Sequence, residues 1–174
     1  LNTAFGVPVM APVVELNDKP DGSELSAKTD QHKLYYHKLG TPQSSDQVIF
    51  GLDTKRRYVF GYITEDERYL VVNAAKSTSG NELYIKDLVN PKNELKCLVN
   101  NFENDHSVIF SKGDLLYVST NLEAPNKKII TFEFDKPEPE NWKDFITETD
   151  NVLSISTGAG YFFAEYMIDA ISKV

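Results

Sequence analysis

Apolar and polar side chains alternate along most of this chain, and the alternating runs come in pairs joined by short turns. A period of two predicts strands, because successive side chains of a strand point to opposite faces. Residues 151–167 show the plan. Val152, Ser154 and Ser156 alternate with Leu153, Ile155 and Thr157, and Gly158-Ala159-Gly160 supplies the turn. Glycine suits that turn because it accepts positive φ without a Cβ clash. Tyr161, Phe162, Phe163, Tyr166 and Met167 form the second run. The same hairpin occurs twice upstream. Residues 106–111 turn at Lys112-Gly113-Asp114 into residues 115–120, and residues 58–64 turn at Glu65-Asp66-Glu67-Arg68 into residues 69–73.

Two further strand-like runs follow each upstream hairpin. They lie at 82–88 and 95–99, then at 128–134 and 142–146, the latter pair separated by a loop containing Pro137 and Pro139. Residues 33–39 and 47–51 are strands around a turn at 40–46. A repeat of about 45 residues, with roughly four strands per unit, is the mark of β-propeller blades. The expected fold is all-β: a partial β-propeller of two full four-stranded blades with half blades at each end. The boundaries read as 18–51 (outer half blade), 52–100, 101–147, and 148–174 (first hairpin of the next blade). Residues 164–173 are compatible with a helix but lack an N-cap, so strand continuation fits the repeat better.

Residues 1–17 match no unit. Residues 7–16 are apolar, but Pro8 and Pro12 exclude a helix interior and a central strand, which predicts an edge strand or a packed extended arm. The segment is too proline-broken for a secretory leader and has no basic flank. Residues 17–32 read as a polar loop, and Asp18, Asp21, Ser23 and Glu24 miss the spacing of a calcium loop.

Composition narrows the class. The chain has 174 residues, 41% hydrophobic and 25% charged, enough to bury a core. Its net charge of −8 argues against nucleic acid as a partner, since phosphate binding needs a basic face. Cys97 is the single cysteine, so no intrachain disulfide forms, and the compartment, cytoplasmic or periplasmic, stays open. No apolar run approaches the roughly 20 residues of a membrane-spanning helix. The chain begins at Leu1 and stops at Val174 inside an apolar run, and reads as a piece of something longer.

Several short blocks then carry a resemblance. Residues 33–41, KLYYHKLGT, are followed by Gln43, Ser44 and Asp46 and preceded by Asp21-Gly22-Ser23-Glu24. Asp66, Arg68 and Tyr69 form a D-x-R-Y hairpin; Asn81, Leu83, Asp87 and Leu88 form an N-x-L…D-L strand; Thr120-Asn121 with Ala124-Pro125-Asn126 precede Ile129-Ile130. In this order and spacing the blocks resemble the propeller domain of prolyl oligopeptidases, bacterial members above all, over residues 18–174. The resemblance implies a parent serine peptidase that cuts short peptides after proline, with a propeller capping an α/β-hydrolase domain. The propeller would restrict access by size. No G-x-S-x-G nucleophile elbow occurs here, so this chain would carry the filter and not the chemistry. The missing hydrolase domain and, through it, short proline-containing peptides are the implied partners. In the family, propeller loops also form part of the peptide-cavity wall. By order along the chain, Tyr58 and the loop Ser77-Thr78-Ser79 fall near such positions, without the sulphur side chains of some members.

Other constellations read as structural. Asp105-His106-Ser107 holds the residue types of a triad, but neighbours in a strand face opposite ways. Glu65-Asp66-Glu67 is a solvated hairpin tip. Gly158-Ala159-Gly160 lacks the following helix of a phosphate loop. His32, His37 and His106 have no metal-ligand spacing. No catalytic residue, metal or cofactor is expected in this chain. The competing reading is a stand-alone β-rich binding module, for a glycan, that self-associates. In either case open sheet edges predict self-association of the isolated chain.

Overall fold

The computed structural model describes the backbone of residues 10–15, Gly22, Ser26, residues 30–90 and residues 92–174. The readings of Pro8 and of Asp18, Asp21, Ser23 and Glu24 lie outside these. The described residues form an all-β chain of four antiparallel sheets, each a meander. Sheet one holds β1 (Met10–Glu15), β2 (Lys33–Lys38) and β3 (Gln47–Phe50). Sheet two holds β4 (Tyr58–Ile63), β5 (Tyr69–Ala75), β6 (Glu82–Asp87) and β7 (Lys96–Val99). Sheet three holds β8 (His106–Lys112), β9 (Leu115–Thr120), β10 (Lys128–Glu133) and β11 (Lys143–Ile146). Sheet four holds β12 (Leu153–Gly158), β13 (Tyr161–Ile168) and β14 (Ile171–Lys173).

The terminal sheets are larger than the sequence pattern suggested. β1 adds to sheet one, with Pro12 opposite Tyr36. It is an edge strand, where a missing N–H costs no ladder bond. At the other end the chain turns at Asp169-Ala170 and returns as β14. Both turn residues have positive φ, 50° and 60°. Such a tight reversal carries no glycine signal, so the sequence hid it.

Turn chemistry accounts for the other hairpins. Gly113 has φ 60° in the two-residue connection between Lys112 and Leu115. Ala159 and Gly160 both have positive φ between the paired Gly158 and Tyr161. The 64–68 connection is held by a side chain instead: one Asp66 carboxylate oxygen accepts from Thr64 Oγ1 and the Arg68 amide.

Sheets pack face to face, and β5 shows this best. Its Tyr69 and Val71 face sheet three in a core with Leu83, Ile85, Val118, Ile130 and Phe132. The alternate residues Leu70, Val72 and Ala74 face sheet one, packing with Leu34, Phe50 and Val59. A strand buried on both faces reads as a continuous apolar run, as residues 69–72 do. Gly61 allows the close approach on the sheet-one side. A Cβ there would lie 2.6 Å from Leu34 Cδ1.

The outer strands of the first three sheets share one irregularity. The ladder skips a residue between Leu34 and Tyr35, between Leu83 and Tyr84, and between Ile129 and Ile130. The residues passed over are Ile49, Leu98 and Phe145. Ile49 packs on the core between sheets one and two, and Leu98 on that between sheets two and three. Phe145 joins an aromatic group with Tyr117 and Phe162 that bridges sheets three and four. A bulge re-aims a side chain. Here it turns one outer-strand side chain per repeat onto the next interface.

Candidate functional site

Tyr58 and Ser77, Thr78 and Ser79 line one open cavity of about 440 Å³. Its floor is one face of the β4–β5 hairpin. Tyr58 pairs with Ala75 and Phe60 with Asn73, and all four side chains belong to the lining. Phe60, on the edge strand β4, is 60% exposed, which leaves a large apolar face open to the cavity. The loop after β5 forms one wall. Gly80, Asn81 and Asp105 complete the other.

That second wall is rigid for identifiable reasons. Asp105 Oδ1 accepts the Gly80 amide at 2.7 Å. Gly80 sits at φ 73°, and a Cβ there would fall 1.9 Å from the Phe102 carbonyl oxygen. Asn81 spans the gap between sheets: its Nδ2 donates to the His106 carbonyl at 3.0 Å, and its Oδ1 accepts the His106 amide at 2.8 Å. Asn121 Oδ1 accepts the Asp105 amide at 2.7 Å, which ties the wall to the next loop of sheet three.

Two basic residues flank the cavity without entering it. Lys76 Nζ lies 4.2 Å from the centre of the Phe102 ring. Arg56 is paired with Glu82 through two hydrogen bonds, of 2.6 and 2.7 Å. The hydrogen bond to Glu82 raises the Arg56 pKa further.

The triad-like run has other work. Asp105 serves Gly80; His106 Nδ1 meets the Asn104 carbonyl at 3.2 Å; Ser107 Oγ lies 3.3 Å from the Tyr62 hydroxyl. The three side chains form no relay. His106 is buried edge-on to Trp142, and burial lowers its pKa. His32, also buried, packs edge-on to Tyr58, and its pKa is lowered by burial against the opposing effect of Asp30. His37 pairs with Asp46 at 2.7 Å. Among the described residues no three metal-ligating side chains gather. Asp66, at the acidic hairpin tip, also accepts from Ser111 Oγ at 2.8 Å and so joins sheet two to sheet three.

The sequence pointed to Tyr58 and 77–79 as cavity-wall candidates, and the same cavity is lined as well by Phe60, Asn73, Asn81 and Asp105, which it did not point to as wall residues. Period-two alternation offered the first two, since Phe60 shares a face with Tyr58, and Asn73 with Ala75. Asn81 and Asp105 meet the cavity only through the contact between sheets.

Known proteins share this sequence and fold. The family model for the prolyl oligopeptidase N-terminal β-propeller domain matches residues 14–174. The chain is 52% identical over 159 residues to a prolyl endopeptidase of Elizabethkingia meningoseptica, and 50% identical over 159 residues to one of Elizabethkingia miricola. Each match covers 90% of this chain and 22% of the relative, so the chain spans about 22% of those relatives' length. Among solved structures, prolyl oligopeptidase B from Galerina marginata, bound there to a 25mer macrocyclization substrate, superposes with a TM-score of 0.76 at 27% identity. That match covers 91% of this chain and 23% of the other. A prolyl endopeptidase chain superposes equally well, with a TM-score of 0.76, at 24% identity, which speaks for the fold alone. With its meandering sheets packed face to face and its sequence matched from residue 14 to residue 174, the chain belongs to the prolyl oligopeptidase family as a segment of the N-terminal β-propeller domain.

Proposed function

We propose that this chain is the non-catalytic, access-controlling part of a serine-type prolyl endopeptidase that cleaves short peptides after proline. The cavity on the β4–β5 hairpin is a piece of the wall that the peptide meets. The observation that carries this reading is the cavity itself. Its exposed Phe60 and half-buried Tyr58 offer apolar surface, and the 77–81 loop beside them is held by hydrogen bonds. A large exposed apolar side chain rimmed by polar groups is what a ligand-binding face looks like. Selection by size is steric. A ring of packed sheets admits an extended peptide and turns away a folded protein. The missing α/β-hydrolase domain of the parent supplies the nucleophile.

The test is a chimera in which this segment replaces its counterpart in the Elizabethkingia miricola enzyme. The chimera should cleave a decapeptide containing proline and leave a folded protein with exposed prolyl loops intact. Equal cleavage of both would overturn the gating role. This chain alone should hydrolyse neither substrate, and turnover that co-purifies with it through a denaturing and refolding step would defeat the non-catalytic reading.

The isolated chain also self-associates in this reading. Tyr161, Met167 and Ile171 of sheet four are 69%, 52% and 61% exposed. Among the described residues, the outer edge of β14 pairs with no strand. Exposed edges and apolar faces of this kind recruit other chains.

A further inference from the structure

The Thr120-Asn121 block belongs to the family pattern, yet neither residue lines the cavity. Its side chains act on the cavity from behind. The wall at 77–79 is exposed, and it is fastened at its far end to the segment that leads into β8. The Gly80 amide donates to Asp105 Oδ1 at 2.7 Å, and the Asn81 amide to the Asn104 carbonyl at 3.0 Å. That segment is fastened in turn by the loop after β9. Asn121 Oδ1 accepts the Asp105 amide at 2.7 Å, and Asn121 Nδ2 lies 3.5 Å from Asp105 Oδ2. Asn121 thus meets both the main chain and the side chain of the residue that holds Gly80. Asn121 is itself set by its turn. The Leu122 amide donates to the buried Thr120 Oγ1 at 3.1 Å, and the Ala124 amide to the Asn121 carbonyl at 3.1 Å.

We propose that Asn121 is a positioning residue for peptide binding. Acting through Asp105 and Gly80, it holds the 77–79 wall opposite Phe60 before the peptide arrives. A wall ordered in advance loses little freedom on binding, whereas a loosened one must be ordered at the expense of affinity. The nucleophile lies on the other domain of the parent, so loss of Asn121 acts on binding and leaves the chemical step alone. This inference rests on the reading of the cavity as part of the peptide wall, and adds to it the residue that keeps that wall in place.

Two measurements test it. The first is amide hydrogen exchange on this chain. Asn121→Ala should speed exchange at Gly80 at least about fivefold, the equivalent of one neutral hydrogen bond. The Tyr69 amide, at the other end of β5 and bonded to Thr64 Oγ1, should keep its rate. An unchanged Gly80 rate, or equal acceleration of both amides, overturns the proposal. Asn121→Ser suits the turn but is too short to reach the Asp105 amide, so it gives the same reading if Asn121→Ala does not fold. The second measurement is decapeptide cleavage by the chimera described above, in three variants. Asn121→Ala and Phe60→Ala should each raise KM about fivefold with kcat held within about twofold. Ser111→Ala removes a hydrogen bond to Asp66 between the same two sheets, near the far end of β8, and should leave KM unchanged. A KM raised by Phe60→Ala but not by Asn121→Ala overturns the role of Asn121 and leaves the peptide wall standing. A KM raised by neither overturns both. An equal rise with Ser111→Ala shows general loosening of the sheets and also overturns the positioning role.

Discussion

Gly80 and Gly113 both sit at positive φ, but only one is enclosed. A Cβ on Gly113 would meet nothing within 4 Å, whereas on Gly80 it would strike the Phe102 carbonyl. Gly113→Ala should therefore cost about 1 kcal/mol, the backbone strain alone. Gly80→Ala should cost roughly 3 kcal/mol or more, because a backbone atom must also move. Urea unfolding of the two variants measures this, and equal losses would contradict it. Gly80→Ala should also weaken peptide binding at the cavity, since the wall that Asp105 holds is displaced. None of this was visible in the sequence. Gly80 looked like any loop glycine until Phe102 was found beside it.

At the scale of elements, the Arg56–Glu82 pair ties the approach to β4 to the start of β6. Glu82 is buried, and Arg56 reaches it with two donors. Removing one partner from a buried pair leaves an uncompensated charge and costs about 3–5 kcal/mol. Arg56→Leu should lose that much in urea unfolding, and Arg56→Leu with Glu82→Leu should regain most of it. A double variant no better than the single one would show that the pair is worth its full contact energy and not merely costly to break. The strands themselves were largely legible, because apolar or alternating runs joined by short turns mark them. The edges of the elements were less so. The proline-broken run at 7–16 left an edge strand and an extended arm both open, and pairing with β2 decided for the strand, whereas β14 emerged only through pairing, entered by a turn without glycine.

For the whole molecule, stability lies in the interfaces between sheets. Two buried histidines pack edge-on against aromatic rings, His32 against Tyr58 of sheet two and His106 against Trp142 within the sheet-three unit. Burial lowers both pKa values below the ordinary value of about 6.5. The folded protein therefore keeps them neutral while the unfolded chain takes up protons as pH falls below 6.5. Their contribution is fully present above that pH and is lost on acidification towards the folded-state values. The urea midpoint should fall between pH 7 and pH 5, and the fall should shrink in His32→Gln/His106→Phe. An unchanged slope in that variant would assign the acid sensitivity to other groups. Self-association belongs to this scale too. Light scattering should report a dimer or larger species at about 100 μM, as expected where sheet edges and apolar faces remain uncovered. A monomer there would remove that part of the reading.

The sequence by itself determined what is local and periodic: an all-β chain, hairpins at their glycine and acidic turns, a four-strand repeat, and the family blocks. These follow from neighbours in the chain, so alternation and turn residues suffice to specify them. The tertiary structure alone decided which faces meet. It made β5 a strand buried on both sides, turned Ile49, Leu98 and Phe145 onto successive interfaces, and brought Asp105 from the threshold of β8 to a cavity floored by β4 and β5. The physical reason is that contacts between sheets join residues some 25 to 45 positions apart, such as Gly80 with Asp105 and Tyr62 with Ser107. No local pattern encodes them.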